Sequence, residues 1–149
     1  MMLKKLSTLA LSCVVLVAPL AHADKAEDAI KYRQSIFQAY KWHFGAMGAM
    51  VRGKVDYDAE LFAHHARSFA ALAPMPAEGF IEGSDFGNTN AKDELWENLD
   101  DLNARFEKLS VDANTLASVA GGELNDAKAA FGAVGKSCKG CHDDYREKP

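Results

Sequence analysis

Two cysteines and a histidine stand close together near the end of the chain, in the run Cys138-Lys139-Gly140-Cys141-His142. On a helix the two thiols lie about one turn apart, so each can add to a vinyl group along the same edge of a porphyrin. The adjacent imidazole can then bind the iron as an axial ligand. The spacing predicts one covalent haem c, attached through Cys138 and Cys141 and ligated by His142.

Three other kinds of site also use paired cysteines. A disulfide across so short a loop would add little stability. A structural zinc site normally needs four ligands, and the sequence has no second cysteine pair. A redox dithiol of the thioredoxin type is expected at a helix N-terminus in a βαβ setting, whereas this motif lies near the end of a helical segment. The haem site is the best supported of these.

Four amphipathic segments must position this motif. In each of them apolar residues recur at alternating spacings of three and four, and strand patterns are nearly absent. The predicted helices run from about Asp24 to Arg52, from an N-cap at Asp56 to Pro74, from near Asn90 to Gly121, and from about Glu123 through the motif. A long loop is predicted between Pro74 and Thr89. The pattern predicts an all-α fold, an antiparallel four-helix bundle.

The first 23 residues are typical of a secretory signal. Lys4 and Lys5 precede an apolar run that ends near Leu20, and Ala21-His22-Ala23 supplies a small-x-small cleavage site. The apolar run is too short to span a bilayer comfortably. We therefore expect one periplasmic domain of residues 24–149, with no membrane contact after cleavage.

The charge of the chain argues against nucleic acid as a partner. The formal net charge is −4, and it becomes more negative when Lys4 and Lys5 leave with the signal. A surface with an excess of carboxylates repels phosphate backbones.

Together, the four helices, the C-terminal attachment site and two short sequences resemble the cytochrome c′ family across the whole predicted domain. These sequences are Lys31-Tyr32-Arg33-Gln34 in the first helix and Tyr145-Arg146 after the histidine. The resemblance implies a five-coordinate haem whose vacant sixth position faces apolar side chains of the first helix.

The resemblance also assigns roles to individual residues. Phe37 matches the position that lines the distal face, where related six-coordinate bundle cytochromes have a methionine. Arg33 and Gln34 match contacts of the haem propionates, Thr89 and Asn90 match a further contact, and Arg146 is implied near the proximal face. Each position also has a purely structural interpretation: a core phenylalanine, a solvated polar pair, a helix N-cap at Asn90, and an arginine that complements a helix C-terminus.

Four other side chains are potential iron ligands in principle. His43, His64 and His65 lack the spacing of a metal site and are left unassigned. Met47 lies ten residues beyond Phe37, roughly 15 Å further along a helix.

Two functions remain open from the sequence. The first is binding of small neutral diatomic gases, nitric oxide before carbon monoxide, at the vacant iron position. The alternative is one-electron transfer between periplasmic redox proteins. Enzymatic activity is not expected, because no distal acid–base pair is evident. The family resemblance implies a homodimer formed through the first two helices. The aromatic residues Tyr32, Trp42 or Phe62 either serve this interface or complete the core.

Overall fold

Four α-helices and two short 3₁₀ helices make up the computed structural model, which describes residues 18–148 and their side chains from residue 25. The α-helices are α1 (Ala18–Val51), α2 (Ala59–Leu72), α3 (Leu99–Val119) and α4 (Leu124–Tyr145). The 3₁₀ helices, Met75–Gly79 and Asp93–Asn98, lie in the connection between α2 and α3. The predicted four-helix bundle is confirmed. Residues 1–17 of the predicted signal lie outside the described residues, and cleavage after Ala23 stays a prediction.

The bundle core is formed by the apolar stripes of all four helices. α1 packs against α2, α2 against α3, and α3 against α4. Completely buried members include Met47, Phe62, Leu116 and Val134. Burial of such side chains removes apolar area from water, which is the main force that holds amphipathic helices together. Of the two interpretations of Phe62, the structure supports the core and not the dimer interface, because its side chain is 0% exposed.

The connection between α1 and α2 differs by two residues from the prediction. Asp58, not Asp56, is the N-cap of α2, and its side chain accepts a hydrogen bond from the main-chain N–H of Leu61 at 2.9 Å. That bond satisfies one of the free donors of the first turn. Gly53 follows α1 with a φ of +65°, a conformation that glycine adopts without a Cβ clash.

The start of the third helix is also later than predicted. The main chain around Asn90 is extended, because the carbonyl of Asn90 accepts from the N–H of Glu147 at 2.8 Å and the N–H of Lys92 donates to the carbonyl of Tyr145 at 3.0 Å. The carbonyl of Asn90, which a helix starting there would use in its own first turn, is thus bonded to a distant segment. The second 3₁₀ helix begins only at Asp93, with Lys92 as its N-cap, so the interpretation of Asn90 as an N-cap is wrong.

The described part of the chain has no helix that combines the length and the apolarity needed to cross a membrane.

Candidate functional site

The two thiols of the motif lie on the inner side of α4, near its C-terminal end. Cys138 and Cys141 are half-buried, unpaired and in contact with the hydrophobic core. Burial raises the pKa of Cys138 to about 11 and also raises the pKa of Cys141, so both are held as neutral thiols. The next residue, His142, is exposed overall, but partial burial of its imidazole and then the Arg146 cation lower its pKa. A neutral imidazole is the form that binds a metal.

An arginine on α3 holds the attachment turn from outside the motif. Arg105 donates from Nη1 to the carbonyl of Gly140 at 2.9 Å and from Nη2 to Asp144 at 2.8 Å. Its Nε donates to Asp101 at 2.6 Å, and its guanidinium lies 4.8 Å from the ring centroid of Tyr145. Because Gly140 and Asp144 flank Cys141 and His142, these bonds fix the turn that carries the motif.

A buried carboxylate supports the preceding turn of α4. Asp112 on α3 accepts a hydrogen bond from the hydroxyl of Ser137 at 2.5 Å and is paired with Lys108 at 2.6 Å. Burial alone would raise the pKa of Asp112, but the bonds from Lys108 and Ser137 outweigh it and lower the pKa. The ionised carboxylate is thus the stable form next to Cys138.

Aromatic side chains of α1 face α4 across the core. The Phe37 ring meets the Tyr40 ring edge-on at 5.7 Å, and the Phe44 ring stacks on Phe131 at 4.1 Å. The Tyr40 hydroxyl donates to the main-chain carbonyl of Ala73 at 2.6 Å. Burial raises the pKa of Tyr40, and the neighbouring Cys138 raises it further. This part of α1 therefore presents hydrocarbon surface, and its one hydroxyl is already engaged.

The loop that follows the first 3₁₀ helix encloses two of the predicted propionate contacts. Arg33 is buried, and its guanidinium donates to Gly79, Ser84 and the Thr89 hydroxyl. Gln34 donates to the carbonyl of Asn88 at 2.7 Å. The structure thus brings Arg33 and Thr89 together, and a role for Arg33, Gln34 or Thr89 toward a propionate stays a prediction.

Gly79 permits this close approach of the loop to α1. A Cβ at residue 79 would lie 2.9 Å from both the carbonyl oxygen of Ala29 and the Cβ of Arg33. Main-chain atoms and a Cβ cannot move away as the end of a flexible side chain can. The position therefore has to be glycine for Arg33 to bond to its carbonyl.

Asn90 and Arg146 lie side by side at the end of the bundle. The segments pair through an antiparallel bridge between Ala91 and Arg146, and the side chain of Arg146 is exposed. Its cation lowers the pKa of His142, so the two side chains are near each other, although its predicted role at the proximal face stays a prediction.

The alternative iron ligands have other partners. His43 and His65 hydrogen-bond to each other between their Nδ1 atoms at 2.9 Å, and Met47 is completely buried in the core. Among the described residues no group of three or more His, Cys, Asp or Glu side chains is arranged to hold a metal ion.

Comparisons with known proteins agree with this arrangement. The family model described as Cytochrome C′ matches residues 28–146. The cytochrome c′ of Halomonas halodenitrificans is 43% identical, with 80% of this chain and 96% of the relative covered. That of Rubrivivax gelatinosus is 37% identical, with 83% and 98% covered.

The chain belongs to the cytochrome c′ family.

Solved cytochromes c′ have the same fold. The cytochrome c prime from Shewanella frigidimarina has a TM-score of 0.80 and 43% identity, covering 83% of this chain and 97% of that one. A nitric oxide complex of a mutant of cytochrome c prime from Alcaligenes xylosoxidans has a TM-score of 0.77 and 35% identity, covering 83% and 97%.

Membership of this family establishes the cofactor. Cytochromes c′ bind haem c covalently through cysteine, and Cys138 and Cys141 are the cysteines that carry it here. The donor set fits this group, because two neutral thiols one helical turn apart meet the core beside a histidine whose ring is kept neutral.

Two positioning residues of this cytochrome c′, Arg105 and Asp112, were missed at the sequence level. The sequence does contain a signal for both residues, because each belongs to a pair of opposite charges four residues apart on one helix. The pairs are Asp101–Arg105 and Lys108–Asp112. Such pairs are usually read as solvent-exposed. Only the packing of α3 on α4 shows that both pairs also reach across to the attachment helix.

Proposed function

We propose that this protein is a periplasmic cytochrome c′ with a five-coordinate haem, ligated by His142, that binds small neutral diatomic molecules, with nitric oxide as its principal ligand. The bound haem supplies an iron position that can accept such a ligand. The chain's own contribution is to orient the axial imidazole and to shape the opposite face.

The observation that carries this proposal is the composition of the α1 surface around Phe37. Of the polar residues about one turn from Phe37 on its own face of α1, Arg33, Gln34 and Tyr40 donate hydrogen bonds to carbonyl oxygens elsewhere, and Lys41 is exposed. The first three side chains are thus engaged by the protein itself. An apolar surface of this kind favours nitric oxide and carbon monoxide over dioxygen, whose recognition needs a hydrogen-bond donor.

The absence of methionine around Phe37 supports a vacant coordination position. Met47 is committed to the core, about 15 Å along α1 from Phe37. His43 is held by His65. A relative solved as a nitric oxide complex gives independent support to the same ligand class.

The same surface argues against enzymatic turnover of peroxide. Cleavage of an O–O bond is helped by a positioned acid–base pair. Two cations lie four residues from Phe37 along α1: Arg33 is buried and surrounded by loop oxygens, and Lys41 is exposed. We therefore assign binding and not catalysis.

Absorption spectra of the oxidised protein, the reduced protein and the reduced protein with nitric oxide test the proposal. A broad high-spin reduced spectrum that changes on addition of nitric oxide is expected. Sharp low-spin bands that do not respond to nitric oxide would show that a protein side chain fills the sixth position, and the proposal would then be wrong.

Electron transfer is the second candidate, and one surface feature favours it. A groove of about 270 Å³ between α3 and α4 is lined by Cys141 together with Arg105, Lys108 and Lys136. Arg105 and Lys108 are neutralised by Asp101, Asp144 and Asp112, so the exposed Lys136 is the cation that this groove presents to an acidic redox protein. If this function holds, Lys136→Glu slows electron exchange with an acidic carrier protein at low salt and leaves nitric oxide binding unchanged. Equal electron-exchange rates for Lys136→Glu and the unmodified protein would exclude docking of the carrier at this groove.

A further inference from the structure

The indole N–H of Trp96 is a buried donor with no acceptor. Among the described residues, its Nε1 is the one buried side-chain nitrogen or oxygen that lacks a hydrogen-bond partner. Buried polar groups in folded proteins are nearly always satisfied, because leaving one unpaired costs free energy. An orphan donor of this kind indicates an acceptor that is not part of the polypeptide.

A buried cation lies against the same indole. The guanidinium carbon of Arg33 is 5.2 Å from the Trp96 ring centroid and 4.6 Å from that of Phe80. The Phe80 ring meets the indole edge-on at 5.5 Å. The three side chains, Arg33, Phe80 and Trp96, form one cluster, which we call the Arg33 cluster.

The charge of Arg33 is not balanced by an anion in contact with it. Its hydrogen-bond acceptors are the carbonyls of Gly79 and Ser84 and the hydroxyls of Ser84 and Thr89, all of them neutral. Only 2% of the residue is exposed. Buried charges in proteins are normally paired with an opposite charge. Asp85 attracts the Arg33 cation without bonding to it. The cluster therefore has an unused donor and a cation with no carboxylate in contact, and a further carboxylate would satisfy both.

The Arg33 cluster lies at the end of the bundle that carries the attachment motif. The segment that leads into Trp96 is tied to the residues after His142, through Lys92 N–H to Tyr145 and Glu147 N–H to Asn90. Trp96, Phe80, Cys138 and Cys141 all pack against the same core. A haem held by Cys138 and Cys141 would bring two carboxylates of its own to this end of the bundle.

We propose that Trp96 is a cofactor-binding residue, whose Nε1–H donates a hydrogen bond to one haem carboxylate that lies beside the cation of Arg33. This assignment rests on the covalent haem of the family and not on the gas-binding function. Nothing in the spacing of the sequence marks Trp96 for this role. A free carboxylate or phosphate from solution has the same chemistry, and the experiment separates the two sources.

Ultraviolet resonance Raman spectroscopy of the haem-loaded Trp42→Phe protein tests the hydrogen bond directly. The chain has two tryptophans, and Trp42 is 72% exposed, so this variant leaves Trp96 as the sole indole. The indole band that responds to hydrogen bonding is expected at the frequency of a strongly hydrogen-bonded N–H. This frequency should not change when chloride in the buffer is replaced by acetate or phosphate. A band at the position of a free N–H would overturn the proposal. A band that moves with buffer anion would show a free anion in place of the haem carboxylate.

The reduction potential as a function of pH gives a second readout. A donor to an ionised carboxylate lowers the pKa of that carboxylate, and the potential follows its ionisation. Trp96→Phe keeps the ring but removes the donor, so the pH at which the potential changes is expected to rise by about one unit. The matched substitution Trp42→Phe is expected to leave it unchanged. An identical pH dependence in Trp96→Phe and the unmodified protein would refute the assignment. If Trp96→Phe does not fold, the Raman measurement alone tests the proposal.

Discussion

Arg105 on α3 donates a hydrogen bond to the main-chain carbonyl of Gly140, at 2.9 Å, inside the haem-attachment motif of α4. This bond joins a charged donor to the one residue of the motif that has no side chain. The same guanidinium binds Asp144, beyond the axial histidine. One side chain thus spans both sides of the Cys141-His142 pair.

Removal of this guanidinium is expected to destabilise the protein. Arg105→Gln loses the bonds to Gly140, Asp101 and Asp144, and hydrogen bonds to charged groups contribute about 1.5–3 kcal/mol each when buried. Because the carboxylates are exposed, we expect a loss of about 1–2 kcal/mol in the free energy of unfolding, measured by urea titration of the haem-loaded protein. Arg67→Gln, at an exposed position on α2, is the control and should change it by less than about 0.5 kcal/mol. Equal effects of the two substitutions would contradict the role of Arg105.

Replacement of the phenyl ring of Phe37 should speed ligand entry. If Phe37 lines the distal face as proposed, its ring leaves its edge contact with Tyr40 when a ligand enters, and a contact of this kind is worth about 0.5–1.5 kcal/mol. Phe37→Ala is therefore expected to raise the association rate of nitric oxide or carbon monoxide with reduced protein by about two- to tenfold in stopped-flow measurements. Phe86→Ala, at a residue that is 78% exposed, should leave the rate unchanged. An unaltered rate in Phe37→Ala would place the entry route elsewhere.

The helices and the attachment motif were predictable because they depend on local pattern. The spacing of apolar residues places α4 correctly, with Glu123 as the residue before its start, and the attachment cysteines Cys138 and Cys141 are identified by their spacing. The start of α3 was not predictable in the same way. Its residues carry a helical pattern, but the bonds between residues 90–92 and 145–147 join positions far apart in sequence and keep the first of them extended.

The surroundings of Arg33 show the same limit at the site. The family resemblance implies that Arg33 lies near the cofactor, but its burial follows from the loop that folds over it. That loop approaches because Gly79 has no side chain, and it supplies Ser84 and Thr89 from about 50 residues away. Trp96 likewise looks like an ordinary core residue until its indole N–H is found without a partner.

The hydroxyl of Tyr40 is expected to contribute to stability through the end of α2. It donates to the carbonyls of Ala73 at 2.6 Å and Leu72 at 3.2 Å, which are among the last carbonyls of that helix and lack helical partners. Tyr40→Phe should lower the free energy of unfolding by about 1–2 kcal/mol in urea titration. Tyr32→Phe is the control, because its hydroxyl reaches an exposed carboxylate at 3.5 Å. A loss as large in the control would mean that the effect is not specific to the α2 end.

The paired histidines His43 and His65 should make stability depend on pH. Burial, and then repulsion from neighbouring histidines that include His64, lowers the pKa of both below the ordinary value of 6.5. As the pH falls below 6.5, these histidines take up protons in the unfolded chain but remain neutral in the folded protein. The free energy of unfolding is therefore full above pH 6.5 and decreases as the pH falls from 6.5 to the lower pKa of the folded protein. The loss has a limit of about 1.4 kcal/mol per pH unit for each proton.

His65→Asn is expected to reduce the slope of the free energy of unfolding against pH by an amount that corresponds to at most one proton. The measurement is the free energy of unfolding of the haem-loaded protein at several pH values between 7.5 and 5, a range chosen to stay above the ordinary pKa of the carboxylates, about 4. His64→Asn is the comparison: it removes one source of repulsion, but His64 is exposed and lies outside the bond between Nδ1 atoms, so the slope should fall by less than in His65→Asn. If His65→Asn keeps the full slope, other groups must take up the protons, and the pair does not govern acid stability.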